Sequence, residues 1–343
     1  MEHARTIIES TLIPHTGFGT ALERIKQCLA HSSQSSEPIC LPVVGESRTG
    51  KSRLLEEAES LAPRHRTRDG AVIPIVRIRT PSRPTVKGVA SLLLKALGDP
   101  KWETGTEIVK TARLEALLKE CKTLMVMLDE FQHFFDKGRH KIFHEAADWL
   151  KTLVDETKVT LVVSGLETCL PILRHNEQLS GRFLAPAYLR RFHWEVQADR
   201  DEFLGVLSAF EESMSAHFEV PPLAGSEMAF RFWCASGGLI GLLAKLLRQT
   251  VWNACDSGRR TISLDDFAKS HQSAIAREAP KQPGPNVLPF DKSFNLGLTQ
   301  ENIASGLSVG VREPESQPEH RVRGRRTAAN EPSLSQVLKA RTR

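Results

Sequence analysis

A glycine-rich segment at residues 45–52 carries the residue types that bind the phosphates of a nucleotide. It has the pattern G-x-x-x-x-G-K-S, and its residues are Gly45, Glu46, Ser47, Arg48, Thr49, Gly50, Lys51 and Ser52. The glycines allow backbone N–H groups to turn toward phosphate oxygens. Lys51 is placed to reach the β- and γ-phosphates, and the Ser52 hydroxyl is a ligand for Mg²⁺. The segment therefore predicts a site for ATP and Mg²⁺.

Two adjacent carboxylates, Asp129 and Glu130, follow the apolar run Leu124–Leu128. A buried strand of this kind delivers the acids at its carboxyl end, beside the phosphate-binding segment. Asp129 is then expected to hold Mg²⁺, directly or through water, and Glu130 to polarise the attacking water. An apolar run that ends in two acids is common by chance. Its combination with the upstream glycine-rich segment indicates nucleotide hydrolysis.

A third polar residue, Ser164, ends the next apolar run, at residues 159–163. In nucleotide hydrolases of this type the end of that strand faces the γ-phosphate, and Ser164 is a candidate to contact it. A serine that merely ends a strand in a turn is an equally good interpretation. The residues alone leave both interpretations open.

Segments with strand and helix patterns alternate around these residues. Strands are predicted within residues 39–44, 72–79, 124–128, 159–165 and 188–196. In the last range, Arg190 and Arg191 directly precede the predicted strand. Helical patterns lie between them, and this alternation favours a parallel sheet covered on both faces. From residue 199 the pattern is helical, and proline-rich composition begins at Pro280.

The composition is that of a globular protein with a basic end. The chain has 343 residues, of which 40% are hydrophobic and 25% charged, and a net charge of +5. Residues 311–343 hold eight lysines and arginines against four glutamates, which accounts for +4 of that charge. No apolar run approaches the ~18 residues of a membrane helix, so we expect no membrane partner. Cysteines without a C-x-x-C pair favour reduced thiols in the bacterial cytoplasm.

These motifs, in this order, resemble the TniB/TnsC family of AAA+ ATPases, which regulate the transposition of elements with DDE transposases. The residues that carry the resemblance are Pro14–Phe18, Ala21–Ile25, Gly45–Ser52, Asp129–Phe134, Ser164–Glu167 and Gly237–Gly241. The resemblance covers roughly residues 10–275 and leaves out the end of the chain.

The resemblance implies an α/β fold, that of an AAA+ P-loop NTPase with a five-stranded parallel sheet. We predict an N-terminal segment at 1–35, the nucleotide-binding domain at 36–198 and a small helical lid at 199–279. Residues 280–343 are predicted to form a mostly disordered basic tail that binds a partner.

The resemblance also implies ATP-dependent assembly into rings or filaments on double-stranded DNA. Such an assembly links a TniQ-type target selector, in some systems associated with a CRISPR effector, to the transposase, and hydrolysis resets it. An arginine from one subunit then reaches the γ-phosphate of its neighbour. Arg182 is the best candidate by its position in Leu-Ser-Gly-Arg-Phe, and Arg190 and Arg191 are close alternatives.

Two residues depart from the family pattern: Ser164 stands where many AAA+ proteins have asparagine, and Gly241 where a nucleotide-sensing arginine often stands. Both departures suggest slow hydrolysis, suited to a timer and not to a motor.

Contacts with DNA phosphates require only a few cations from each subunit. The candidates are Arg83, Thr85 and Lys87 after the second strand, and Lys137, Arg139 and Lys141 after the carboxylates. A solvated surface is the alternative for each of these residues.

Two other functions compete with a transposition ATPase. A helicase loader would carry the same motifs, and its partners would distinguish it. A scaffold that binds ATP without hydrolysing it is the third interpretation, and Glu130 argues against it.

Overall fold

The computed structural model describes residues 2–32, 37–134, 140–170, 173, 180–275, 288–297 and 299–309, and a parallel β-sheet lies at its centre. The strands are β1 (Cys40–Gly45), β2 (His65–Thr67), β3 (Gly70–Val72), β4 (Ile75–Arg79), β5 (Met125–Asp129), β6 (Thr160–Gly165) and β7 (Ala187–Leu189). Five of them pair in the order β4-β5-β6-β1-β7, and every pairing is parallel. Strands β2 and β3 form a separate antiparallel hairpin. The predicted five-stranded parallel sheet is confirmed.

Helices cover both faces of this sheet. The covering helices are α3 (Thr16–His31), α4 (Lys51–Ser60), α5 (Val86–Leu97), α6 (Glu107–Glu120) and α7 (His140–Thr157). Two short helices precede them, α1 (Glu2–Arg5) and α2 (Ile7–Ser10), and these pack against helices later in the chain. Met125 and Met127 of β5 pack in a core with α3 and α4, whereas Val126 and Leu128 pack in another with α5, α6 and α7. Burial on both faces explains why β5 is a continuous apolar run instead of an alternating one.

The strand register brings the polar ends of the strands to one edge of the sheet. Arg79 at the end of β4 lies opposite Asp129 at the end of β5, and Gly45 at the end of β1 lies opposite Leu189 of β7. Parallel strands end at the same edge, and ligands of α/β proteins bind there. The two sequence motifs are therefore neighbours, although residues 53–128 separate them.

The fifth strand is shorter than predicted. A strand was expected within 188–196, but β7 spans Ala187–Leu189, and the chain then leaves the sheet. Phe192 explains the early end, because its N–H donates to the Gly238 carbonyl at 3.0 Å. Its own carbonyl accepts from Trp233 Nε1 at 2.8 Å. These bonds draw the chain into the helical region and away from strand pairing.

The helical region follows as predicted, with α8 (Gln197–Ser215), α9 (Ser226–Ser236), α10 (Ile240–Asp256), α11 (Leu264–Ala274) and α12 (Gln300–Ser308). Its core contains fully buried aromatic and aliphatic side chains, including Phe203, Phe232, Leu247 and Phe267. Within the described ranges no single helix has the length and apolar character to cross a membrane. Helices α9 and α10 have that length and apolar character only when they are counted as one segment, and they are bent by 108° relative to each other.

Packed structure continues past residue 279, where the tail was predicted to begin. Phe290 is buried between Phe232 and Phe267, with ring centroids 5.1 and 5.8 Å away, and α12 packs against α9. The N-terminal helices α1 and α2 also join this region, since Ala4 and Ile8 belong to its core. The helical region is thus larger than the predicted lid, because both flanking segments supply part of its core.

Candidate nucleotide site

The glycine-rich loop joins β1 to α4, and its shape depends on glycine at two positions. A Cβ atom on Gly45 would lie 2.0 Å from the carbonyl oxygen of Leu189 in the neighbouring strand. Gly50, which directly precedes α4, has a φ of 95°, a conformation that other residues rarely adopt. Arg48 also has a positive φ, of 70°. The loop therefore curls tightly over the N-terminus of α4, as phosphate binding requires.

Lys51 lies inside this curl. Its Nζ donates to the carbonyl oxygens of Gly45 at 2.9 Å and Glu46 at 2.5 Å. Burial lowers the pKa of Lys51 below its ordinary value, and the nearby carboxylates of Glu130 and Asp129 oppose this change. The ammonium group is thus held at the loop, close to the two acids that the sequence predicted.

Ser52 and Asp129 meet directly, as the magnesium prediction requires. The Ser52 Oγ donates to Asp129 Oδ2 at 2.6 Å, and the backbone N–H of Glu130 donates to Oδ1 at 2.9 Å. Hydroxyl and carboxylate oxygens are the ligands that Mg²⁺ prefers. These two side chains fit a magnesium ion, which would neutralise charge on the phosphates.

Glu130 is held by two donors that sequence reasoning missed. Gln132 Nε2 donates a short hydrogen bond to Glu130 Oε2, and Arg79 Nη2 lies 3.5 Å from Oε1. Glu130 itself has a φ of 55°, so the backbone turns sharply after Asp129. Gln132 lies two residues after the acids, but nothing in its spacing marks it as a partner of Glu130.

Ser164 is fully buried at the end of β6, and its hydroxyl has no hydrogen-bond partner among the described residues. The amide of Gln132 lies beside the next residue, Gly165. Gln132 Oε1 accepts from the backbone N–H of Leu166 at 3.3 Å, and a Cβ on Gly165 would lie 2.8 Å from the same oxygen. Gln132 therefore connects Glu130 to the end of β6, while the role of Ser164 stays a prediction.

The three candidate arginines have different surroundings. Arg182 forms a two-pronged ion pair with Asp155, with Nε and Nη2 at 2.9 and 2.8 Å from the two carboxylate oxygens. Arg190 and Arg191 follow β7 instead of preceding a strand. Arg190 is exposed, and its guanidinium lies 4.9 Å from the ring of Tyr188.

Arg191 is buried and contacts the phosphate-binding loop of its own chain. Its Nε donates to Glu46 Oε1 at 2.8 Å, and its Nη2 donates a short hydrogen bond to Oε2. The Arg191 guanidinium, through hydrogen bonding, holds the pKa of Glu46 below its ordinary value. Arg191 therefore has an acidic partner within its own chain, whereas an intersubunit arginine would have to reach the neighbouring subunit.

The helical region contacts the loop through the N-terminus of α10. The Gly241 N–H donates to the Arg48 carbonyl oxygen at 2.8 Å. A Cβ on Gly241 would lie 2.8 Å from that oxygen and 3.2 Å from Arg48 Cα. Glycine at this position, where a nucleotide-sensing arginine often stands in the family, thus has a steric reason.

The N-terminal segment also reaches this end of the sheet. His15 caps α3 by accepting from the Phe18 N–H at 3.4 Å, and its ring stacks edge-on against Phe192 at 5.2 Å. Burial lowers the pKa of His15, although Glu202 acts to raise it. The Pro14–Phe18 segment therefore connects α3 to the linker that follows β7.

Three of the six candidate DNA contacts can be placed. Arg83, Thr85 and Lys87 are exposed in the loop and first turn after β4, at the same edge of the sheet as the nucleotide site. Thr85 also caps α5, because its Oγ1 accepts from the Gly88 N–H at 3.0 Å.

The other three cannot be assessed from side-chain contacts. Lys137 and Arg139 lie outside the described residues, and Lys141 belongs to α7 without a described side chain.

Several solved structures are similar to this chain. Cdc6p from Pyrobaculum aerophilum is 14% identical with a TM-score of 0.59, covering 78% of this chain and 70% of that chain. ORC2 from Aeropyrum pernix, solved as ADPNP–ADP complexes, is 14% identical with a TM-score of 0.60, covering 79% and 72%. Aeropyrum pernix ORC1 in complex with DNA is 17% identical with a TM-score of 0.55, covering 79% and 69%.

These likenesses show an AAA+ P-loop fold. No match is found among curated proteins. The family model described as Bacterial TniB protein matches residues 3–194, which is more than half of the chain. The matched residues include the phosphate-binding loop, the adjacent carboxylates and all three candidate arginines. The chain belongs to the TniB family.

Proposed function

We propose that this chain is an ATPase that regulates DNA transposition. The observation that carries the proposal is the meeting of Ser52 with Asp129 at 2.6 Å, with Glu130 adjacent, in a chain of the TniB family. Lys51 exchanges its two carbonyl contacts for the β- and γ-phosphates when ATP binds. Ser52 and Asp129 hold Mg²⁺, and loop N–H groups orient the phosphates.

Glu130 is the residue that polarises the attacking water. Gln132 and Arg79 compete with that water for its carboxylate oxygens, since both already contact them. Turnover therefore requires Glu130 to turn from these donors toward the water. This required movement of Glu130 favours slow hydrolysis. Ser164 and Gly241, at positions where many AAA+ ATPases have asparagine and arginine, favour it as well. Slow hydrolysis would limit the lifetime of the assembly instead of driving movement.

Assembly completes the site by supplying an arginine from a neighbouring subunit. Arg191 is engaged with Glu46 of its own chain, so Arg182 and Arg190 are the better candidates. Arg190 is exposed, whereas Arg182 must first leave Asp155. Each subunit would then hydrolyse ATP only beside another, which links nucleotide turnover to assembly.

Double-stranded DNA is the proposed scaffold for this assembly, in the bacterial cytoplasm. The exposed Arg83 and Lys87 lie at the edge of the sheet that holds the nucleotide site, and repetition over subunits multiplies their phosphate contacts. We propose that the assembly connects a TniQ-type target selector to a DDE transposase, and that the basic end of the chain binds one of these partners. Hydrolysis then resets the assembly.

The first experiment measures ATP binding and turnover with and without duplex DNA, for the wild type and Glu130→Gln. We expect the variant to bind ATP as the wild type does and to lose turnover by about 100-fold or more. Equal turnover in both proteins would refute the role of Glu130. Binding without turnover in the wild type, with DNA present, would favour the nucleotide-gated scaffold.

Electron microscopy tests the assembly. We expect rings or filaments on duplex DNA with ATP or a non-hydrolysable analogue, and none with ADP. Monomers under every nucleotide would refute the proposal. Purified transposase and TniQ-type protein then separate this function from a helicase loader, which would bind a helicase instead.

The intersubunit arginine is identified by mixing inactive variants. Glu130→Gln subunits supply an intact arginine, and Arg190→Ala subunits supply an intact Glu130, so mixing restores turnover if Arg190 acts across the interface. The same mixture with Arg182→Ala tests the other candidate. If a variant assayed by itself keeps full turnover, the arginine that it lacks is not the intersubunit arginine.

A further inference from the structure

Arg191 connects three separate segments of the chain in a buried position. Its side chain is only 4% exposed, and its two contacts with Glu46 reach the phosphate-binding loop. Nη1 donates to the carbonyl oxygens of Gly237 at 3.3 Å and Leu307 at 3.1 Å, and Nη2 to that of Val309 at 3.4 Å. Within the described residues, its side-chain hydrogen bonds are therefore with the loop, the α9–α10 turn and the end of α12.

The last of these segments, residues 299–309, is here called the strap. Thr299 caps its helix α12, and Asn302 Nδ2 donates to the carbonyl oxygens of Asn295 and Gly297 at 2.8 and 2.9 Å. Gly306 lies against Trp233, where a Cβ would be 2.5 Å from ring atom Cζ3. The strap is thus seated by close contacts on α9 and not only by the arginine.

Electrostatics explain why the carbonyl groups at the C-terminal end of α12 lie against Arg191. Leu307 and Val309 supply carbonyls at the C-terminal end of α12, where carbonyl groups lack partners within the helix and carry partial negative charge. A buried guanidinium needs such acceptors and a counter-ion, and Glu46 is its one carboxylate partner in the described parts of the chain. Removal of the strap carbonyls would leave a buried charge with fewer acceptors.

Glu46 in turn controls the position of Lys51. Its backbone carbonyl accepts from Lys51 Nζ at 2.5 Å and from Thr49 Oγ1 at 2.9 Å. A shift of Glu46 therefore displaces Lys51 in the nucleotide-free loop and, through Thr49, changes the curl of the loop that receives the phosphates.

We propose that Arg191 is a positioning residue through which the strap holds the phosphate-binding loop in the form that binds ATP. This inference rests on the proposed function, because it requires that the loop binds nucleotide. Displacement of the strap weakens ATP binding, and ATP binding in turn stabilises the seated strap.

The test uses the full-length chain and a fluorescent ATP analogue. Gly306→Ala places a methyl group against Trp233 and displaces the strap, and we expect ATP affinity to fall about tenfold. Gly205→Ala is the matched control, because a Cβ at this position in α8 meets nothing within 4 Å. The control should bind ATP as the wild type does.

Arg191→Met tests the same link from its other end, and we expect ATP affinity to fall about 10- to 100-fold. The double variant with Gly306→Ala should lose little more than Arg191→Met alone, because both changes break one connection. Arg191→Lys keeps the charge without the planar fork and should bind with intermediate affinity. Circular dichroism confirms that each protein is folded.

Hydrogen exchange distinguishes this role of Arg191 from a general effect on stability, because it measures the phosphate-binding loop directly. We expect faster amide exchange in the loop, residues 46–49, for Gly306→Ala but not for Gly205→Ala. Unchanged affinity and loop exchange in Gly306→Ala would overturn the inference, as would wild-type affinity in both Arg191 variants. A wild-type chain that does not bind ATP would instead refute the proposed function.

Discussion

Gly241→Ala tests whether the helical region and the phosphate-binding loop act as one structure. The substitution places a Cβ 2.8 Å from the Arg48 carbonyl oxygen and 3.2 Å from Arg48 Cα, where backbone has little room to move. It also disturbs the hydrogen bond of 2.8 Å from the Gly241 N–H to that carbonyl. Overpacking costs about 1–3 kcal/mol and the lost bond about 1 kcal/mol. The higher helix propensity of alanine offsets this by about 1 kcal/mol.

We therefore expect Gly241→Ala to lower the free energy of unfolding by about 1–3 kcal/mol. It should also weaken ATP binding, because Arg48 belongs to the loop. Denaturant titration and a fluorescent ATP analogue measure the two effects. The matched control is again Gly205→Ala, which lies in open space and should be neutral or more stable by up to about 1 kcal/mol. If Gly241→Ala matched the control in both measurements, the contact would not couple the two regions.

Three further outcomes are expected. Gln132→Ala removes a donor that competes with water for Glu130, and steady-state assays should show faster turnover with ATP affinity unchanged; an unchanged or slower turnover would exclude that competition. Arg83→Ala with Lys87→Ala should lower the slope of log DNA affinity against log salt by about 2 per subunit. A slope that stays the same would mean that both residues belong to a solvated surface. Asp266→Asn should lower the unfolding temperature at pH 5, and the difference from the wild type should shrink by about half at pH 3.

The pH dependence follows from the contacts of Asp266 in α11. Burial acts to raise its pKa, but hydrogen bonds from Arg259 and Ser263 hold the pKa of Asp266 at about 2. Because its pKa is lower in the folded than in the unfolded state, the ionised carboxylate stabilises the fold above the unfolded value of about 3.9. That stabilisation, about 2 kcal/mol, is lost as the pH falls toward 2. A constant difference in unfolding temperature between pH 5 and pH 3 would contradict this reasoning.

Residues that act through local chemistry could be predicted from the sequence. The loop at 45–52 and the acids at 129–130 require particular residue types at particular spacings, and the structure brings them together. The parallel sheet was predictable because strands buried on both faces read as continuous apolar runs. The end of β7 was not, since hydrogen bonds that Phe192 forms with the distant residues Gly238 and Trp233 decided it.

Composition does not show which parts of the chain beyond Pro280 are packed. Proline and polar residues after Pro280 indicated a tail, yet Phe290 and the strap pack onto the helical region. Their burial depends on a complementary surface, formed by Trp233 and Phe232, that composition does not reveal.

The sequence by itself determined the nucleotide motifs, the alternation of strands and helices along the chain and the family, because each depends on residue patterns within short segments. Only the tertiary structure decided which arginines are already paired and which donors hold Glu130. Arg191 and Glu46 are 145 residues apart, and Arg182 and Asp155 are 27 apart. Such pairs form where folding brings segments together, and the buried Arg191 charge in particular needs a counter-ion. Spacing along the chain carries no record of that proximity.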